Sequence, residues 1–545
     1  MVKLGKFTLK LKARQQKESP KSAEEKVEDR ETIEREIRDR LLSLGTEYKI
    51  LETYPIEDPW ARVHILEHKK TGSLLYFVDE IPLTKDEEEA YNKILSILYW
   101  ELEPPKPGDD PREHFEKQAK KIVAKFKVRF GSTIHPGISW GKIEYYLLRN
   151  TIGYGPINVV MKDQYIEDIS CDGLGKPIYV WHQRYESIPT NIVFKKEEEL
   201  DSLILKLAHK AGKHVSVAHP IVDAILPEGH RLAATYKKEV STGGSTFTIR
   251  KFKDTPLSVI DLVRGRTLNS LLASYFWLLM EHNMTGMIMG VTGAGKTTML
   301  NALATLLRPT IKVVTIEDTP ELRLTLENWV QLVARPSYGF EKGASEITLY
   351  DLVKVSLRYR PDILVVGEVR GEEAKVLFQA IATGHGGIST IHAEDINAMV
   401  KRLMSPPMEI PEGYISLLNF ALAIRRVKIT NPDGTYKIAR VVTDVWEVVD
   451  YNKFIQISKW DAATRKHKVD LESSILLSKI GELTGRSIDD LLAEIDKRDM
   501  IIRWMAYEGI TNYKRVGEII GEYYRRPDKV LKEAARGLRR FEMYE

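Results

Sequence analysis

The chain has 545 residues, 43% of them hydrophobic and 29% charged, with a formal net charge of +4. That length exceeds one ordinary core and predicts several domains of roughly 100–200 residues, and so even a charge balance excludes any argument for a nucleic-acid partner from charge alone. The single cysteine, Cys171, excludes an internal disulfide and a cysteine zinc cluster and fits a reducing compartment.

Residues 1–44 predict a charged tail. Lys3, Lys6, Lys10, Lys12, Arg14 and Lys17 alternate with Val2, Leu4, Phe7, Leu9 and Leu11, and no acid falls among them. A solvated tail is the plainer reading. The sharper one is contact with an acidic membrane surface or an acidic partner, worth about 1 kcal/mol per basic residue at such a surface. The stretch lacks the apolar core of a signal peptide, and 18–40 is a mixed-charge run that reads as linker or frayed helix.

Residues 45–150 predict a first N-terminal domain. Strands at WARVHILEH and SLLYFVDEI flank a KKTG turn, EPPKPGDDP breaks the chain at 103–111, and a helix ends near IEYYLLRN. Residues 151–253 predict a second, α+β domain. IEDISC and KPIYVWH alternate as strands, EEELDSLILKLAHKAG is a helix stopped by Gly212, and two further strands flank a Thr-Gly-Gly turn. At 254–262 Asp254 or Thr255 can cap a helix with Pro256 in its first turn. Beyond it strands and helices alternate, the pattern of a parallel sheet with crossover helices, and 254–470 predicts an α/β domain. LLASYFWLLM at 271–280 is half the roughly 20 apolar residues of a membrane span, so a cytoplasmic protein is expected. Residues 471–545 read as a helical region.

GVTGAGKTT, beginning at Gly290, lies between the apolar strand TGMIMG and a helix. Gly290, Gly295, Lys296 and Thr297 match the spacing of a phosphate-binding loop. The residues expected to bind the nucleotide are Gly290, Thr292, Gly293, Ala294, Gly295, Lys296, Thr297 and Thr298. Backbone amides freed by the glycines face phosphate oxygens at a helix N-terminus, Lys296 reaches the terminal phosphates, and Thr297 ligates Mg²⁺. Three more strands carry polar ends: Glu317 and Asp318, then Gly367 and Glu368, then Thr390 and His392. Ligands gather at the carboxyl ends of parallel strands. Each residue also has an ordinary reading, the acids as caps of the next helix and the histidine as a satisfied core residue.

GVTGAGKTTMLNAL, VVTIEDTPEL, SLRYRPDILVVGEVRGEEA and ATGHGGISTIHAED closely resemble, in this order, the Walker A, Asp, Walker B and His boxes of the type II/type IV secretion ATPase superfamily. The module around GYGPINVVMKDQYIEDISCDGLGKPIYVWHQRY and FTIRKF resembles the family's second N-terminal domain, and 45–150 resembles the archaeal branch, which includes archaellum motors and archaeal pilus-assembly ATPases. A zinc module common in bacterial members is impossible with one cysteine; AIRRVKITNPDGTYKIARVV reads instead as antiparallel strands around an Asp433-Gly434 turn.

The resemblance implies a RecA-like P-loop ATPase domain in a homohexamer that hydrolyses ATP with Mg²⁺ and moves a polytopic membrane platform protein, at the inner face of the membrane. Glu368 is expected to polarise the attacking water, Glu317 to assist in the water and Mg²⁺ network, and His392 to sense the terminal phosphate. The metal set is then Thr297, Glu317 and Glu368. The P-loop domain shows no obvious second cation, so Arg231 and Arg250 are the expected arginine fingers, reaching a ring neighbour, with Arg370 a weaker interface candidate. The competing readings are a RecA-like nucleic-acid motor, for which no basic and aromatic loop clusters near the P-loop, and an ATP-binding scaffold, which the presence of both Lys296 and Glu368 disfavours. No nucleic-acid partner is expected.

Overall fold

The computed structural model describes residues 45–106, 108–129, 136–252, 255–335, 346–430 and 436–542. The basic tail and the Asp433-Gly434 turn lie outside them. Backbone contacts divide the chain into two units, one up to Lys251 and one from Phe252 onward.

In the first unit β1 (Tyr48–Glu57), β2 (Ala61–His68) and β3 (Leu74–Glu80) form an antiparallel meander. The KKTG turn closes on Gly72, at φ +68°. Helices α1 (Lys85–Glu101), α2 (Pro111–Phe126) and α3 (Pro136–Thr151) pack around Ile94, Leu98, Phe115, Ile122 and Leu147. Their starts are encoded locally. Thr84 and Glu87 form a capping box, and Asp110 caps a helix whose first residue is Pro111. After the short α4 (Asn158–Lys162) come β4 (Ile166–Cys171), β5 (Pro177–His182), β6 (Glu186–Val193), α5 (Glu197–Lys210), β7 (Ile221–Ile225), β8 (Arg231–Thr235) and β9 (Thr246–Arg250). The sheet order is β1-β2-β3-β6-β5-β4-β9-β8-β7. The sheet does not break near residue 150: β3 meets β6 at Tyr76 and Thr190, and Tyr76 and Val78 share a core with Ile169, Val180 and Leu203.

The second unit opens with α6 (Val259–Arg264), capped by Ser258 and not by Thr255. Ser258 and Asp261 form a capping box, which places the helix start three residues beyond the expected one. α7 (Ser270–Glu281) carries LLASYFWLLM and is buried almost all round, which accounts for its apolar run without a membrane. Among the described residues no helix is long and apolar enough to cross one.

β10 (Gly286–Met289), α8 (Lys296–Ala304), β11 (Val313–Glu317), β12 (Trp329–Val333), α9 (Leu349–Ser356), β13 (Ile363–Val366), α10 (Glu373–Ala382), β14 (Gly386–Ile391), α11 (Ile396–Met404), α12 (Glu412–Ile415) and β15 (Phe420–Thr430) follow. The strands lie parallel in the order β12-β11-β13-β14-β10-β15. The P-loop strand β10 thus sits between β14 and β15, far in sequence but adjacent in space, which is the RecA-like order. Both faces are covered. Ile288, Val313, Ile363 and Ile388 enter one core, while Met287, Met289, Val314 and Leu364 enter the other. A parallel sheet buried on both faces needs apolar residues at consecutive positions, and these strands have them.

β16 (Tyr436–Asp450), β17 (Lys453–Asp461) and β18 (Lys466–Val469) extend the sheet antiparallel from β15. Helices α13 (Ile475–Thr484), α14 (Ile488–Tyr507), α15 (Tyr513–Arg525) and α16 (Pro527–Glu542) then pack their apolar stripes on the core that holds α7 and α8.

Candidate functional site

The loop from Gly290 to Gly295 turns tightly because three glycines let it. Gly293 and Gly295 have φ of +72° and +99°, a region that costs other residues about 1–2 kcal/mol. A Cβ on Gly290 would stand 2.6 Å from the Ile424 carbonyl oxygen. Ala294 is buried, Thr292 is exposed, and Thr297 and Thr298 stand half-buried in the first turn of α8. Lys296 opens that helix at only 8% exposure. Its ammonium donates to the Val291 carbonyl at 3.3 Å.

That ammonium also faces His392, 3.3 Å from Nδ1 and 3.4 Å from Nε2. The next contact runs from His392 Nε2 to Glu368 Oε1, at 2.7 Å. Strand order produces this line: β13 carries Glu368 just past its end, β14 carries His392, and β10 carries the loop. Burial first, and the Lys296 charge second, hold the His392 pKa below its ordinary value, against the pull of Glu368. The imidazole is therefore neutral at neutral pH.

Glu368 Oε1 is buried and has no directed hydrogen bond within the described residues. Oε2 accepts from Arg370, whose Nε lies 2.9 Å away and whose Nη2 closes the fork. Arg370 also stands 3.8 Å from Asp318. The turn beyond is held by Glu373, whose Oε1 accepts from the amides of Arg370 and Gly371. Thr390 ties the two strand ends together by donating to the Gly367 carbonyl at 2.8 Å, and Arg402 donates to the His392 carbonyl.

Glu317 stands beside Gly367, whose Cβ position lies 3.3 Å from its Cγ. Its oxygens point into the loop that follows. Oε1 accepts from the amides of Glu321 and Leu322, both at 2.9 Å, and Oε2 from Gln331 at 2.9 Å. Burial raises its pKa, and those three bonds oppose the rise. Both Glu317 oxygens are thus engaged in holding the non-helical loop that follows β11.

Arg231 and Arg250 belong to the first unit. They face each other directly across β8 and β9 and project from the exposed face. Arg231 grips Asp223 with two bonds, at 2.9 and 3.3 Å, and Arg250 Nε is 3.9 Å from Asp168.

Sequence reading missed two cations. Arg440 Nε donates to the Gly293 carbonyl at 3.0 Å, and Arg426 Nη1 lies 4.0 Å from the Cβ position of Gly293. No local motif marks them, because only the register of β15 with β16 brings them to the loop.

The site suits a nucleoside polyphosphate. It offers a glycine turn at a helix N-terminus, a buried ammonium, and a buried carboxylate oxygen 2.7 Å from the His392 ring. No group of three His, Cys, Asp or Glu converges on a metal among the described residues. A Mg²⁺ ion at Thr297 would draw its other ligands from phosphate and water, as Mg²⁺ at such sites does.

A family model described as type II/IV secretion system protein matches residues 153–426, about half the chain. An uncharacterized protein of Methanocaldococcus jannaschii is 33% identical over 521 residues, covering 90% of this chain and 92% of its own. Among solved structures, the VirB11 ATPase of the Brucella suis type IV secretion system is 24% identical, with a TM-score of 0.26, over 54% of this chain and 95% of its own. The Legionella pneumophila ATPase DotB is 18% identical, with a TM-score of 0.39, over 65% of this chain and 91% of its own.

Proposed function

The chain belongs to the type II/IV secretion system protein family, and from that premise we propose that it is an ATP-hydrolysing motor. The observation that carries this reading is the unbroken line Lys296, His392, Glu368, which links the phosphate loop to a buried carboxylate oxygen. In phosphoryl transfer the protein mainly positions groups and supplies charge. The loop amides and Lys296 hold the phosphates. Thr297 would hold Mg²⁺, and Glu368 would act on its water shell. Mg²⁺, when bound, neutralises charge on the phosphates. Glu368 Oε1 accepts from the attacking water, while Arg370 fixes the other oxygen and so aims the carboxylate. Glu317 acts by holding the loop from Asp318 to Arg323 against β11. Neutral His392 reports an occupied loop to Glu368.

The motor is a homohexamer in the cytoplasm, at the inner face of the membrane, working on a polytopic platform protein of an archaeal pilus, archaellum or secretion system. The archaeal relative that spans nearly the whole chain supports the archaeal assignment. Arg231 and Arg250, side by side on one exposed strand pair, are the cations supplied to a neighbouring copy.

Glu368→Gln and Lys296→Ala test the chemistry. Glu368→Gln retains ATP and Mg²⁺ binding and loses turnover by about 10²–10⁴-fold, the worth of a positioned general base. Lys296→Ala loses nucleotide affinity. Wild-type turnover by Glu368→Gln would remove Glu368 from the reaction.

A further inference from the structure

Strand β15 outruns its partner. It pairs with β10 from Phe420 to Ala423, opposite Gly286 to Met289, and then continues to Thr430. The part beyond Ala423 overhangs the phosphate loop, which is why the Ile424 carbonyl crowds Gly290. β16 returns antiparallel and sets Arg440 directly opposite Arg426, with Val442 opposite Ile424. Directly opposed residues share a face, and so do positions two apart on a strand. Ile424 and Val442 enter the core beneath α8, so both arginines stand on the face that carries the loop and its helix. Arg440 is anchored there by its bond to the Gly293 carbonyl, and its Cδ lies 3.3 Å from the Cβ position of Gly295.

The order β13-β14-β10-β15 gives the site two ends. Glu368 and His392 occupy the β13–β14 side of the loop. Arg426 and Arg440 occupy the β15 side. A nucleotide lying along the loop with its reacting phosphate at Glu368 must place its nucleoside at the other end. We propose that Arg426 and Arg440 form the subsite for the base and ribose of the nucleotide, with Arg440 the positioning residue and Arg426 the contact. A guanidinium suits this task because its plane stacks on an aromatic ring while its charge favours the ring face. The proposal rests on the reading of Lys296 and Glu368 as an ATP site.

Calorimetric titration of the full chain with ADP and, separately, with inorganic tripolyphosphate tests it. Tripolyphosphate carries the phosphates without a nucleoside. In Arg426→Ala and Arg426→Lys the Kd for ADP rises roughly tenfold, the scale of a cation–ring contact, while tripolyphosphate binds as to wild type. The KM for ATP rises with it, and kcat at saturation stays within about twofold. Unchanged ADP affinity in Arg426→Ala overturns the subsite. Equal losses for ADP and tripolyphosphate overturn it too, and make the pair a phosphate clamp. A wild-type chain that binds neither ligand overturns the nucleotide reading itself.

Discussion

His392 is the residue through which the loop and the carboxylate meet, and its protonation state decides how. Burial and Lys296 depress its pKa, so the neutral ring persists to lower pH than the ordinary value near about 6.5. As pH falls through the depressed value the ring gains a proton beside Lys296. We expect turnover to fall there, with an acid midpoint below about 6.5. His392→Ala should lower kcat by about 10-fold or more and remove that acid limb, against the 10²–10⁴-fold worth of a direct acid–base group; pH–rate profiles of the two proteins check it, and an unchanged limb would place the titration elsewhere. The same shift costs stability in acid, because the unfolded chain takes up the proton more readily than the folded one. At this scale the site was legible where chemistry is local. Gly290 to Thr297 form one turn, and Glu368 and His392 each end an apolar strand. Glu317 was legible in place but not in engagement, because the amides of Glu321 and Leu322 and the side chain of Gln331 reach it only once the following loop folds back. Arg440 was not legible at all: its partner Gly293 lies 147 residues earlier.

Elements are fastened by a few buried polar groups as well as by apolar stripes. Glu447, on β16, is fully buried. Its carboxylate accepts from the Tyr275 hydroxyl of α7, the Ser474 hydroxyl, and the amides of Ile475 and Leu476 at the start of α13. One side chain thus joins the extension strands, the core helix and the first C-terminal helix. Burial, and then the Glu447 carboxylate, push the Tyr275 phenol pKa well up, so it remains a donor. Glu447→Ala strands these donors in the core and should destabilise the unit by on the order of 3 kcal/mol or more. Thermal unfolding checks this, and a midpoint equal to wild type would mean the donors find other partners. The strand–helix alternation and the C-terminal helices were legible because apolar periodicity states them directly. The start of α6 was not, since Thr255 and Ser258 are both able caps and only the reciprocal bond with Asp261 selects Ser258.

The whole molecule separates at Lys251 into a unit that presents paired arginines and a unit that carries the phosphate loop. The continuity of the first sheet past residue 150 escaped the sequence because it rests on β3 beside β6, a pairing between strands more than a hundred residues apart. The central claim is that the Lys296 site hydrolyses ATP and that assembly completes it. An arginine supplied by a neighbour is worth about 10³–10⁵ in rate in enzymes that use one. The most direct test is Mg²⁺-dependent ATP turnover per chain, measured across protein concentration for the wild type and for Lys296→Ala. The account predicts turnover per chain that climbs steeply as copies associate and is absent in Lys296→Ala at every concentration. Turnover independent of concentration would contradict the shared site, and hydrolysis undiminished in Lys296→Ala would contradict the account as a whole.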